Sequence, residues 1–231
     1  QPADQDPMSA KLSAERIGDV ETGDYSAGDT LHFTLAGYGD KFLLRYSDSP
    51  ETFVLYPGRA ALGGRVLKYD SGVVLLKVSV WGGMTIYTDK APDGLPTNRT
   101  GDPASLVHAP VSPGAIAAAM NEETAYLASS RKLQVGFTID AIPTDSWIRA
   151  MAYDTLVNTA MGIARFTATA TGHDLVAHKI GDVKVVVGAK PIISLAGRTL
   201  LVTYVPAQGY AGRASSRAIA RALGKLFDIR P

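Results

Sequence analysis

Asp70-Ser71-Gly72 has the form of the aspartic-protease signature, in which two such carboxylates share one proton and activate a water. A single copy is present, so the second carboxylate would have to come from a symmetric partner chain. Between two β runs the same three residues are also ordinary turn chemistry. His173, Asp174 and His178 form the densest metal-capable cluster. Two histidines five apart do not share one helical face, and Gly172 before them points to a surface loop. A metal would need a third ligand from elsewhere, and no metal site is assigned.

Two further sets suit binding better than catalysis. Asp154, Asn158 and Arg165 fall at successive offsets of four and seven on an otherwise apolar segment, with Gly162 between them allowing close approach. A stripe of that kind faces solvent, pairs with loops, or lines a polar cleft between two halves of the protein. Arg213, Arg217, Arg221 and Lys225 recur every four residues, opposite Ile219, Leu223, Leu226 and Phe227. That face is either solvated or open to an anionic partner such as lipid phosphate, an acidic polymer or a protein. These seven polar residues are the candidate binding residues, and no catalytic residue is assigned.

The chain carries no Gly-x-Ser-x-Gly elbow, no Ser-x-x-Lys, no phosphate loop and no dinucleotide fingerprint, so no cofactor is implied. Lys and Arg total 23 against 22 Asp and Glu, which gives no global field to draw nucleic acid. No apolar run reaches the ~18 residues of a membrane span. Cysteine is absent, which removes disulfides, thiolate metal sites and a cysteine nucleophile together.

The elements that must position these residues change character along the chain. Residues 1–23 read as a flexible N-terminus with a possible short helix at Met8–Ile17. From Thr30 the period becomes two, and six strands follow at Leu31–Leu35, Phe42–Tyr46, Thr52–Tyr56, Arg65–Tyr69, Val73–Trp81 and Met84–Thr88. The turns between them are too short for parallel crossovers, so residues 24–90 form an antiparallel meander. Trp81 closes the most apolar strand and is expected to anchor this sheet. Residues 91–111 hold several prolines and glycines without apolar period and read as a loop, a mobile target for proteases near Arg99.

Residues 112–231 read as a helix-rich α+β module. Ser112-Pro113 marks a helix start. Thr144-Asp145-Ser146 caps a long helix, Trp147–Phe166, which is apolar nearly all round and so is the buried centre of this half. Strands are expected at Leu133–Ile139, Val183–Val187, Ile192–Leu195 and Thr199–Val205, with a closing amphipathic helix at Ala214–Phe227. The fold class is α+β: an N-terminal antiparallel meander followed by a module built around one long helix.

Phe42-Leu43-Leu44-Arg45-Tyr46, the segment Leu62–Gly72, and Trp81-Gly82-Gly83-Met84-Thr85-Ile86-Tyr87-Thr88 with Gly94-Leu95-Pro96 and Arg99-Thr100 resemble an uncharacterised family of exported bacterial proteins. The resemblance covers roughly the first half. It implies export and a domain of unknown function, and supplies no catalytic residues. The polar, proline-bearing start at Gln1-Pro2 suits a processed, periplasmic end, although a cut within a longer chain would look the same. The expected function is non-enzymatic binding of a small ligand or an envelope protein; the alternative is a hydrolase using carboxylates such as Asp70 or Asp154 in a cleft between the modules.

Overall fold

Alternation of buried and outward-facing residues carries through the first part of the computed structural model, which describes residues 19–107 and 109–229. The helix expected at Met8–Ile17 lies outside the described residues. The chain divides into two units between Leu106 and Val107.

The first unit is an antiparallel β-barrel. Its strands are β1 (Gly23–Ala27), β2 (Leu31–Tyr38), β3 (Lys41–Tyr46), β4 (Thr52–Arg59), β5 (Arg65–Tyr69), β6 (Val74–Val78), β7 (Met84–Thr88) and β8 (Ala91–Gly101). Each pairs with the next, and β8 returns to β1, closing the sheet. An eight-stranded barrel is just wide enough for side chains to fill. Phe33, Leu35, Leu44, Phe53, Leu55, Leu67, Leu76 and Ile86 are fully buried. An aromatic chain runs through this core: Tyr25 stacks on Phe33 at 5.3 Å between ring centres, Tyr46 packs edge-on against Phe33 and Phe53, and Phe53 meets Tyr69 at 5.0 Å. The Tyr46 and Tyr69 hydroxyls lie 3.0 Å apart, giving each phenol oxygen a partner in the packed interior.

Two expectations change here. Residues 91–101 of the expected loop form the longest strand of the barrel. Proline is tolerated because the strand changes partner along its length: Ala91, Leu95 and Pro96 pair with β7, and Thr97 to Gly101 pair with β1. Pro92 and Pro96 therefore sit on the part paired on one side, where a missing N–H costs no ladder bond. Trp81 is the second change. Strand β6 stops at Val78, and Trp81 stands 83% exposed in the β6–β7 turn, closed by Ser79 N donating to Gly83 O at 2.8 Å. It does not anchor the core.

The second unit is a mixed α/β layer. Helix α1 (Pro113–Arg131) starts at Ser112, whose hydroxyl accepts from Ala115 N, and has Pro113 in its first turn. Helix α2 (Ser146–Phe166) starts at Asp145, whose carboxylate accepts from the Trp147 and Ile148 amides. Helix α3 (Ala170–Lys179) and helix α4 (Ser216–Leu226) complete the layer. The sheet runs β11 (Ile193–Ala196), β12 (Thr199–Tyr204), β10 (Asp182–Val187), β9 (Gly136–Ile139). β10 is parallel to both β9 and β12, and the crossover from β9 to β10 is made by α2 and α3, as parallel pairing requires. Val183, Val185, Leu200, Val202 and Tyr204 bury one sheet face in a core shared with Leu156, Ala160 and Ile163 of α2.

Candidate functional site

The polar stripe on α2 exists, and its partners are the residues leading into α4. Asp154 Oδ2 lies 2.9 Å from Arg213 Nε. Asn158 Nδ2 donates to the Ala214 carbonyl at 3.0 Å, and Arg165 Nε donates to Ser216 Oγ at 2.9 Å. Gly162 lets α4 come this close, since a Cβ there would lie 2.6 Å from Ile219 Cβ. The stripe thus clips one chain segment to another, each polar group meeting a buried counterpart.

The basic row is uneven for the same reason. Arg213 precedes α4 in extended backbone (φ −121°, ψ 141°), and its guanidinium is buried over the Tyr210 ring at 5.1 Å. Arg217 is half-buried, and Arg221 and Lys225 are exposed. The expected four-residue repeat on one helix face therefore breaks at its first member.

Arg165 also belongs to a second arrangement. With Met161 and Ala164 of α2 and Tyr126 and Arg131 of α1 it lines an open-sided pocket of about 210 Å³. Its Nε is taken by Ser216, which leaves the terminal amino groups without a partner among the described residues. Arg131 contributes a guanidinium with no partner among the described residues, and its Nε is buried. Two unpaired cations bordering one cavity repel each other and favour any anion that enters. Planar guanidinium groups suit carboxylate or phosphate oxygens in particular, and Met161, Ala164 and the Tyr126 ring offer an apolar wall. Arg131 and Tyr126 are not legible as site residues in the sequence. Each arginine falls in the last turn of its helix, where a basic residue is ordinary complement to the helix dipole.

A second electrostatic feature lies on α1. Burial raises the Glu123 carboxyl to about 7, helped by the neighbouring charge of Glu122. Burial, followed by the charges of Glu122, Glu123 and Asp154, also raises the Tyr153 phenol on α2.

The remaining motifs lie in a helix and a hairpin turn, each with local hydrogen bonds. His173 and His178 lie on α3 rather than on a loop; Thr169 caps that helix and Gly172 sits against the Phe166 carbonyl, where no Cβ would fit. His173 Nε2 donates to Arg131 O at 2.8 Å and His178 Nδ1 to Asp174 O at 2.7 Å. Among the described residues no group of three or more His, Asp or Glu is placed to hold a metal. Asp70-Ser71-Gly72 is the β5–β6 turn, closed by Gly72 N donating to Tyr69 O at 2.8 Å with Gly72 at φ 86°. No described helix is long and apolar enough to cross a membrane.

No curated protein and no solved structure matches the chain significantly. One family model does, described as a domain of unknown function, and it matches residues 7–223, spanning both units. The chain belongs to this family, DUF4908.

Proposed function

We propose that this is a non-enzymatic binding protein of the bacterial envelope, exported to the periplasm, which holds a small anionic ligand in the pocket bordered by Arg131 and Arg165. The observation that carries the reading is the Arg131 guanidinium, which has no acceptor among the described residues and has its Nε withdrawn from water, beside the Arg165 guanidinium, whose Nε alone is taken, by Ser216. A buried donor left unmade costs about 1–3 kcal/mol, and a carboxylate or phosphate oxygen relieves it. Tyr126, Met161 and Ala164 would contact the less polar part of such a ligand. The envelope location rests on the family resemblance of the Leu62–Gly72 and Trp81–Thr88 segments.

A hydrolytic reading through Asp70 and Asp154 has less support. Asp154 is engaged by Arg213, and Asp70 is exposed on a hairpin turn. The binding reading is tested by thermal unfolding and calorimetric titration with inorganic phosphate and with small carboxylates, at fixed ionic strength against chloride. Wild type should be stabilised by at least one of these anions. Arg131→Gln should lose that response, and it is the cleaner variant because Arg165 also holds Ser216. No anion-specific response in wild type, or an equal response in the variant, would remove the reading.

A further inference from the structure

Two large apolar side chains stand in water on neighbouring connections of the barrel. Leu62 is 94% exposed in the β4–β5 connection and Trp81 is 83% exposed in the β6–β7 turn. In an up-and-down barrel these connections lie at one end. They also touch: a Cβ on Gly63 would come within 3.2 Å of Val80 Cγ1, and one on Gly64 within 2.7 Å of Val78 O. Leu62 holds its position in left-handed backbone (φ 58°, ψ 29°), a region a bulky side chain seldom enters. The chain accepts that conformation although the side chain gains no burial from it.

Just behind the tips lie cations. Arg59 ends β4 and Arg65 begins β5, and the two are directly paired across the strands. Like charges opposite one another destabilise a sheet, and neither arginine has an ion-pair partner among the described residues. Lys68 of β5 and Lys77 of the adjoining β6 are exposed. Between residues 52 and 88 the one acidic residue is Asp70, in the β5–β6 turn at the opposite end. Of the carboxylates at the same end of the barrel, Asp40 on the β2–β3 connection is engaged by its neighbour Lys41, and Glu21 and Asp102, where β1 begins and β8 ends, are engaged by Arg99.

We infer that this end of the barrel docks on an anionic lipid surface, with Leu62 and Trp81 entering the boundary between headgroups and acyl chains and Arg59 and Arg65 meeting lipid phosphates. The layering matches a bilayer more closely than a protein partner. Apolar tips project furthest, cations follow one strand-end behind, and tryptophan favours the membrane interface because its ring is apolar and its N–H is not. Separate tips without a continuous apolar face enter a fluid surface readily, whereas a protein interface needs a packed, contiguous centre. The inference stands on the first unit alone and is independent of the pocket in the second.

The test is sedimentation with vesicles of phosphatidylcholine containing phosphatidylglycerol, against phosphatidylcholine alone, at low and physiological salt. Trp81 emission is isolated as the difference between wild type and Trp81→Phe, Trp147 being the other tryptophan. Wild type should sediment with the anionic vesicles, less so as salt screens the arginines. Its Trp81 emission should shift to the blue and be quenched by brominated acyl chains. Leu62→Ser with Trp81→Ser should lower the vesicle partition at least tenfold, as should Arg59→Gln with Arg65→Gln. Both pairs are exposed or strand-end positions, and circular dichroism checks that the barrel is retained. Absence of vesicle binding at low salt, binding without a Trp81 shift, or binding unchanged in both double variants would overturn the inference. So would concentration-dependent self-association through Leu62 and Trp81 in place of vesicle binding, which would assign the surface to a second copy of the chain.

Discussion

Arg213 Nε and Asp154 Oδ2 lie 2.9 Å apart, the arginine side chain 1% exposed and the aspartate 20%. One candidate from the basic row and one from the polar stripe therefore neutralise each other, 59 positions apart in sequence. The pair fixes the entrance to α4 together with the Asn158–Ala214 and Arg165–Ser216 bonds.

Breaking one side of a buried pair strands the other charge, which costs about 3–5 kcal/mol. Asp154→Asn should fall near the lower end, about 3 kcal/mol, because the carboxylate keeps some contact with water. Urea unfolding measures it. The double replacement Asp154→Leu with Arg213→Met should lose less than the sum of the single changes. Additive losses would mean that the two groups do not act on each other.

Glu123 gives the second unit a pH dependence of definite sign. Its carboxyl is raised to about 7 in the folded protein, from an ordinary value of 4.5. Below 4.5 both folded and unfolded chains carry the protonated form and no penalty arises. As pH rises from there through about 7, the unfolded chain ionises first, and the folded state loses stability. Glu123→Gln should flatten that part of the profile and raise the unfolding midpoint at pH 8, with little change at pH 4. Glu122 and Tyr153 share the surroundings, so Glu122→Gln should steepen nothing and lower the Glu123 titration slightly. A Glu123→Gln profile parallel to wild type would contradict the assignment.

Arg99 offers a third check. Strand β8 holds it opposite Tyr25, with its guanidinium 2.7 Å from Asp102, 3.3 Å from Glu21, and donating to Thr22 O at 3.0 Å. Trypsin needs an extended, detachable segment, so the bond after Arg99 should survive native digestion and be cut once the barrel is unfolded in urea. Mass spectrometry of timed digests reads the site. Early cleavage at Arg99 in native protein would mean that the β1–β8 seam opens readily.

What could be read from sequence was what is local. The six strands from Leu31 to Thr88 announce themselves by alternation and glycine turns, and Ser112 and Asp145 by their place before helical periods. β8 was hidden because its prolines fall where one side is unpaired, a fact of register rather than of composition. Trp81 misleads because an apolar ring at a strand end reads as core, while the chain leaves β6 three residues earlier. The stripe on α2 was visible as a row, but its partner Arg213 was read onto the face of a helix that begins only at Ser216. Arg131 carried no local signal, since its significance lies in a neighbour on another helix.

The β1–β8 seam joins Tyr25 to Arg99 and Ala27 to Thr97, so the barrel's first strand pairs with its eighth. Hairpins from β1 to β7 can form one after another, yet both outer edges stay open until β8 has paired with β7 and β1. Closure of so long a loop is slow to be found and, once found, leaves no edge for a neighbouring chain to extend. The hazard of misassembly in this barrel is therefore concentrated in the interval before closure, and it ends when the proline-bearing strand pairs.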